Sequence, residues 1–343
     1  MLATPEVETL NWQKLVEPYA QSNLSKSVWQ VINTLVPYFV LWAVMVWSLQ
    51  VSYWLTLALS IPTAGFLMRT FILFHDCGHG SFFKSRRAND ALGVILGVLT
   101  FTPYYHWRHE HAIHHATSGN LDRRGMGDVP TMTLQEYVAA PGWKRAGYRV
   151  LRYPLFLFSI GALSMFLLVH RFWAPGAGRR ERLSVIYTNL ALLALFVIMG
   201  AWIGFKEIVL VYLPIAVMSS ATGVWMFYVQ HQFEGVYWEH KSQWSFTRAG
   251  VQGSSFYKLP AILQWFTGSI GFHHIHHLSP RIPNYSLEKC HQENPALQIE
   301  PLTILGSLKS LRLRLWDETT GQLVGFDAVK KHRLAARQLK QSS

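Results

Sequence analysis

The stretch FILFHDCGH, residues 71–79, joins an apolar run to two histidines that are four positions apart. The run before it is long, because residues 27–68 contain no Asp, Glu, Lys or Arg. A helix that crosses a membrane needs about 20 mostly apolar residues. The long apolar run therefore predicts two membrane crossings, at about 28–49 and 51–75, and the second crossing leads directly into the histidine pair.

A second apolar stretch follows later in the chain. From residue 184 to residue 231 the only formal charges are Lys206 and Glu207. Two more crossings are predicted, at about 184–204 and 207–230, ending beside His231. The alternative is a pair of core helices in a soluble protein, but about 45 residues without an internal polar break are unusual there.

Two shorter apolar stretches are expected to lie at the membrane without crossing it. Residues 91–103 are too short for a span and indicate a re-entrant or interfacial segment. Residues 153–169, between Arg152 and His170, are long enough for a fifth span. We expect a helix lying on the membrane there, because one extra crossing would put the later histidines on the wrong side.

The charge distribution predicts the orientation of the chain. The formal net charge is +12 over 343 residues, and the segment from Cys77 to Leu183 is rich in Lys and Arg. Excess Lys and Arg marks the cytoplasmic side of a membrane protein, which explains this charge better than nucleic-acid binding does. We expect one domain over 1–343, with a cytoplasmic cap formed by 76–183 and 231–343 and with both termini cytoplasmic.

Histidines recur at helical spacing in three places. Side chains that are three or four positions apart in the sequence lie on the same face of an α-helix. His231 adds a single ring at the end of the last predicted crossing, and under the predicted topology all these positions lie on the same side. The positions are His75 and His79; His111, His114 and His115; and His273, His276 and His277.

Nine imidazoles predict a site for two metal ions. Imidazole suits Zn, Cu, Fe and Ni, and nine rings exceed what one ion binds. A structural zinc site favours cysteine, but the chain has only Cys77 and Cys290. Other histidines lack this pattern: His109 lies about 200° around a helix from His111, and His170 is expected at the surface or the membrane interface.

The histidine motifs resemble those of a known family. HDCGHGSFF (75–83), WRHEHAIHH (107–115) and GFHHIHHL (271–278) are similar to the three histidine boxes of membrane fatty acid desaturases, and YVQH (228–231) is similar to the family's isolated histidine. The resemblance implies an all-α integral membrane protein with four transmembrane helices in two hairpins and a cytoplasmic helical cap. It also implies a di-iron site, with two non-haem iron ions held by His75, His79, His111, His114, His115, His231, His273, His276 and His277.

The resemblance further implies O₂-dependent insertion of a cis double bond into the acyl chain of a membrane lipid. Three residues separate the histidines of the first box, which is similar to the acyl-lipid ω-6/Δ12 and ω-3 branch, so a Δ12-type enzyme of a bacterial inner membrane is expected. His274 departs from the commoner third box. The alternatives are a hydroxylase, ketolase or epoxygenase on the same scaffold. A metal transporter is disfavoured, because the spans lack a polar pathway.

Several other residues are candidates for supporting roles. Carboxylates usually orient ligating histidines, and Asp76, Asp122 and Asp128 are near enough in sequence, while Asn120 is placed to reach a metal-bound water. Electrons must come from an external donor, and a basic cytoplasmic face favours an acidic carrier such as ferredoxin over cytochrome b5. Aromatic residues including Trp107 and Trp265 are expected to line an acyl tunnel or to pack in the core or the membrane interface.

Overall fold

The described part of the chain, residues 11–125, 127–332 and 334 of a computed structural model, is mostly helical. Five long helical segments dominate it, and most of the shorter helices follow His79 or His231 along the chain. The α-helices are α1 Trp12–Val16, α2 Leu24–Ser48, α3 Tyr53–His79, α4 Arg86–Leu99, α5 Tyr104–Thr117, α6 Leu134–Ala139, α7 Gly142–Leu151, α8 Pro154–Phe156, α9 Ala162–Leu167, α10 Arg179–Ile203, α11 Phe205–His231, α12 Phe246–Gln252, α13 Ala261–Phe266, α14 His273–Leu278, α15 Asn284–Glu293 and α16 Ile304–Ser307.

The four predicted hairpin helices are present, with somewhat different ends. They are α2, α3, α10 and α11, and α3 packs against both α2 and α11. The α3 helix extends past residue 75 to His79, so that the first histidine pair lies on its last turn. It ends there because Gly80 adopts a left-handed conformation with φ of 71°, and its N–H bonds back to the carbonyls of Asp76 and Cys77.

A fifth segment is also long and apolar enough to cross a membrane. Residues Pro154–Arg171 comprise α8, a π-helical turn at Leu157–Gly161, α9 and a 3₁₀ turn at Val169–Arg171. By length and composition alone, five segments of the described chain therefore meet the requirement for a span, where the sequence predicted four crossings.

The helix that carries the second histidine cluster is held between two long helices. The hydroxyl of Tyr104, at the start of α5, donates to the carbonyl of Cys77 over 2.7 Å. The next backbone N–H, from Tyr105, donates to the Ser184 hydroxyl of α10 over 3.0 Å. These two bonds fix α5 across α3 and α10, so that its last two turns face the end of α3.

Two small sheets were not predicted, and in this respect the all-α expectation needs correction. Strands β1 Met132–Thr133, β4 Leu315–Asp317 and β5 Gln322–Val324 form one sheet, with β1 and β4 parallel and β4 and β5 antiparallel. Strands β2 Phe256–Tyr257 and β3 Pro301–Leu302 form a parallel pair. Strands of two or three residues are too short to show the alternation from which strands are predicted.

The contact between α4 and α5 allows a stability test. Gly93 of α4 packs so tightly that an added Cβ would overlap the buried ring of Tyr104. Overpacking typically costs about 1–3 kcal/mol, which outweighs the helix propensity that alanine gains. We expect Gly93→Ala to lower the thermal midpoint of the detergent-solubilised protein, measured by circular dichroism.

The matched control is Gly147→Ala in α7, where nothing lies within 4 Å of the new Cβ. Alanine there gains up to about 1 kcal/mol of helix propensity, so its midpoint should be unchanged or higher. Equal midpoints for the two variants would contradict the packing of α4 on α5.

Candidate metal centre

The predicted ligands converge at one place from four helices. Five histidines each offer one ring nitrogen, and these five nitrogens all lie within 4.8 Å of one another. Three further histidines form a second set that meets the same distance limit. His273 adjoins the second set, since its Nε2 lies 3.0 Å from Nε2 of His231. We name the first group as His75, His79, His111, His115 and His276, and the second group as His114, His231, His273 and His277.

The two groups are in direct contact with each other. The rings of His115 and His277, one from each group, stack with centroids 4.2 Å apart. His114 and His115 are consecutive on α5 and belong to different groups. The helix therefore holds two adjacent sites at a fixed separation, and α14 does the same with His276 and His277.

The spacing of the ring nitrogens fits metal coordination. The Nε2 atoms of His114 and His231 are 3.2 Å apart, and that of His115 is 3.1 Å from those of His111 and His276. Imidazole nitrogens bound at about 2.1 Å to one ion are separated by about 3.0–3.4 Å when the bonds meet at right angles or tetrahedrally. Nε2 of His79 and of His277 are buried without a hydrogen-bond partner in the described chain.

Four of the rings outside the long apolar helices are disfavoured in the protonated form. Burial, and then the neighbouring histidines, lower the pKa of His111, His115, His276 and His277 well below the usual value. A neutral imidazole keeps the lone pair that a metal ion needs. The same packing that disfavours protonation thus prepares these four side chains as ligands.

Two of the predicted carboxylates contact ring nitrogens. Asp128 Oδ1 lies 2.6 Å from Nδ1 of His114, an arrangement in which Nδ1–H donates to the carboxylate and Nε2 faces the second group. Asp76 Oδ1 lies 3.5 Å from Nδ1 of His75. The other Asp76 oxygen accepts from the backbone and side-chain nitrogens of Asn284, at 2.7 and 2.9 Å, which anchors it.

Asp122 is a correction to the sequence prediction. It is exposed and binds Nδ1 of His240 at 2.8 Å and the backbone N–H of Lys241 at 2.9 Å, so its contacts are with residues outside both groups. The reason is local, because the 3₁₀ turn Leu121–Arg123 buries Leu121 and directs the next side chain outward.

Asn120 is buried at the start of that turn, where its side-chain oxygen accepts the N–H of Asp122 over 3.0 Å. It borders a cavity of about 10 Å³ that is also lined by Asp128 and His231. That volume corresponds to about one water molecule. The predicted role of Asn120 toward a metal-bound water remains a prediction.

Some histidines outside the two groups are placed as predicted and some are not. His109 is exposed, facing away from His111 as its spacing indicated. His170 was wrongly expected at the surface; it is only 4% exposed and its ring contacts Phe166. His106 is also buried and accepts the N–H of Ala174 over 3.0 Å, a contact across 68 residues that no local pattern reveals.

Two aromatic residues cover the histidine rings. Trp107 stacks on His111 with centroids 4.3 Å apart, and Gly78 makes this possible because a Cβ there would come within 2.9 Å of the indole. Phe227 contacts the rings of His114 and His231, at 5.2 and 5.1 Å. The sequence left open a tunnel wall or core packing for Trp107, and the structure places its ring directly against a ligand candidate.

The contrast between two aspartates can be tested by metal binding. Loss of a carboxylate that orients a ligating histidine lowers metal affinity by roughly 10- to 100-fold. We expect Asp128→Asn to weaken Fe²⁺ binding by about that factor, measured by anaerobic equilibrium dialysis against a chelator-buffered metal. Asp122→Asn is the control and should bind like the unmodified chain. Equal affinities for the two variants would contradict the role assigned to Asp128.

The lowered histidine pKa values predict a pH dependence. A histidine whose pKa is lower in the folded protein than in the unfolded chain binds fewer protons in the folded state. Its contribution to stability is therefore complete above the ordinary pKa of about 6.5 and is lost as the pH falls toward the lowered pKa. We expect the thermal midpoint of the metal-free protein to fall as the pH drops below about 6.5. His276→Gln should flatten this profile, and replacement of the exposed His109 should leave it unchanged. A midpoint independent of pH would contradict the burial of neutral rings.

Comparison with known proteins gives the chain a family. The fatty acid desaturase family model matches residues 52–301. A fatty acid desaturase of Bacillus subtilis is 49% identical over 318 residues, which cover 92% of this chain and 90% of that protein. An sn-1 oleoyl-lipid 12-desaturase of Anabaena variabilis is 28% identical over 264 residues, 72% of each chain. The Synechocystis sn-1 oleoyl-lipid 12-desaturase is 27% identical over 239 residues, 67% of this chain and 66% of its own. With its histidines gathered as described, the chain belongs to the fatty acid desaturase family of oxidoreductases.

Proposed function

We propose that this enzyme is a di-iron, O₂-dependent desaturase that introduces a cis double bond into the acyl chain of a membrane lipid. The single observation that carries the proposal is the pair of adjacent imidazole groups at the ends of two long apolar helices. Such a site lies where an acyl chain held in the membrane can reach it, and its nine donors are all nitrogens.

The two groups are assigned one iron ion each. The first group supplies five ring nitrogens and the second supplies four. When bound, the iron pair would supply the reductive activation of O₂ and the oxidation of an unactivated methylene, chemistry that side-chain acid–base groups cannot supply. The chain's own residues orient the rings through Asp128 and Asp76, and Trp107 and Phe227 cover them against water.

We propose four membrane crossings, by α2, α3, α10 and α11, with Pro154–Arg171 lying along the membrane. Contacts at both flanks of that segment support this arrangement. Arg152, just before it, donates to the Gln232 side chain at the end of α11 over 2.8 Å. Ala174, just after it, donates to His106 of the helix that carries the second histidine cluster. Both flanks therefore lie at the histidine end of the bundle.

The histidine end is proposed to face the cytoplasm of a bacterial cell, with the chain in the inner membrane. The excess of Lys and Arg between Cys77 and Leu183 favours that side. The same charge suits a small acidic electron carrier. Ferredoxin is proposed as this donor, in preference to cytochrome b5.

The position of the new double bond is proposed to be Δ12, as in an ω-6-forming enzyme that acts on lipid-linked acyl chains. Two cyanobacterial relatives are named as sn-1 oleoyl-lipid 12-desaturases. The three residues between His75 and His79 also match that branch. The name of the Bacillus subtilis relative states no position.

The test is expression in a bacterial host that makes no polyunsaturated lipids but contains oleate and a ferredoxin system. We expect a new diene with its second bond at Δ12, located by gas chromatography and mass spectrometry of derivatised fatty acids. His276→Ala should abolish it, because this substitution removes one donor of the first group.

His109→Ala is the matched control, since this exposed histidine lies on the same helix as the second cluster. Membrane levels of both variants are compared by immunoblot. A double bond at another position would refute the Δ12 assignment, and a hydroxylated chain would refute desaturation itself.

A further inference from the structure

Two short helices outside the proposed spans expose an apolar surface. On α13, Ile262 and Leu263 are 67% and 43% exposed, and Trp265 is 39% exposed. On α16 and the following 3₁₀ turn Leu308–Arg312, Leu305 is 78% exposed, with Ile304 and Leu308 beside it. Exposed apolar residues of this size, when gathered on one surface, mark an interaction site.

The two helices start side by side. Strands β2 and β3 pair in parallel, with Tyr257 opposite Leu302, and Lys258 donates to the Leu302 carbonyl over 2.9 Å. Parallel strands run in the same direction, so both chains leave the pair at one edge. The helix α13 begins at Ala261 and α16 at Ile304, which brings their exposed apolar residues to the same region of the surface.

The α13 helix lies against the middle of α3. Phe266 packs on Gly65, where an added Cβ would come 2.9 Å from its ring, and Phe66 contacts both Trp265 and Phe266 edge to face. Gly65 precedes His75 by ten residues, or about 15 Å along a helix axis. If α3 crosses the membrane, α13 lies well inside the hydrocarbon layer.

Arg69 explains how a helix end is tolerated at that depth. Its guanidinium is 3% exposed, donates to the carbonyl of Trp265 at the end of α13, and lies 4.0 Å from the centre of the Trp265 ring. Its Nε donates to Thr34 of α2 over 3.1 Å. Backbone groups at membrane depth must be satisfied within the protein, and Arg69 satisfies one while its own charge stays shielded.

From this we infer that α13 and α16 form a docking surface for the cytoplasmic leaflet of the lipid bilayer, with α13 re-entering the membrane beside α3. The α13 helix packs on Gly65 and Phe66 of α3, and Ile61 one turn earlier on α3 is 65% exposed, which argues for lipid as the occupant. Exposed Lys258 and Arg312 flank it and complement anionic headgroups. The inference uses the proposed span arrangement but is independent of the reaction.

A consequence concerns the third histidine cluster. Only residues 267–272 separate the end of α13 from His273. The depth at which α13 docks therefore helps to set the height of α14, and with it both iron sites, relative to the acyl chains of the leaflet.

The experiment is spin-label depth measurement on full-length protein in vesicles that contain phosphatidylglycerol. Cysteine is introduced singly at Ile262 and Leu305, with Ile61 of α3 as the lipid-facing reference and Thr319 of the β4–β5 turn as the aqueous reference. Native Cys77 and Cys290 are buried, and the unmodified chain serves as the labelling blank. Power saturation compares access of O₂ with access of a water-soluble nickel complex.

We expect the ratio of oxygen to nickel access at 262 and 305 to match that at 61 and to exceed that at 319. If the label at 61 is lipid-exposed but the ratios at 262 and 305 equal the ratio at 319, the docking surface is overturned and the span arrangement is not. A water-exposed label at 61 overturns it together with the span arrangement. Spin–spin broadening that disappears on dilution with unlabelled protein overturns it by identifying a second copy of this chain as the occupant. None of these outcomes depends on catalytic activity.

Discussion

Buried imidazoles whose ring nitrogens face one another constrain the whole architecture. Nε2 of His231 lies within 3.2 Å of the same atom in both His114 and His273, and a neutral ring has only one N–H to offer. A buried polar atom without a partner costs about 1–3 kcal/mol. A metal ion removes this cost at every ring at once, so the site is coherent as a ligand set and unfavourable as a plain hydrophobic core.

The rest of the fold can be understood as the support for this arrangement. Two rings come from the last turn of α3 and one comes from the end of α11. The long helices therefore fix the positions of these three rings along the helix axes. The other six come from α5 and α14, which are fixed by tertiary contacts. Tyr104 ties α5 to the carbonyl of Cys77, and His274 ties α14 to the carbonyl of Leu297 over 3.0 Å. Neutral His274, whose pKa burial lowers to about 3, is thereby an anchor beside the ligands.

Sequence periodicity was sufficient to predict which histidines converge. Offsets of three and four gave each cluster one direction, and the charge pattern placed all of them on one side of the membrane. The same reasoning placed His109 outside the site, and it is exposed. The predictions of convergence and of an outward-facing His109 were confirmed because they depend on local helix geometry, whereas the side of the membrane stays a prediction.

What the sequence could not provide were contacts between distant segments. Asp122 is nearer to the second cluster in sequence than Asp128, yet Asp122 pairs with His240 and Asp128 pairs with His114. The burial of His170 and the pairing of β1 with β4 likewise depend on tertiary packing with no local pattern. The apolar segment Pro154–Arg171 has a composition that suits either a crossing or a surface helix, and its flanking contacts are what supports the proposed surface arrangement.

The central claim is that the nine imidazoles hold a pair of iron ions. Elemental analysis combined with X-ray absorption at the iron edge of the purified protein tests it most directly. We expect two iron ions per chain, with imidazole nitrogens at about 2.1 Å and no sulfur scatterer. A single ion per chain, or sulfur among its ligands, would contradict it.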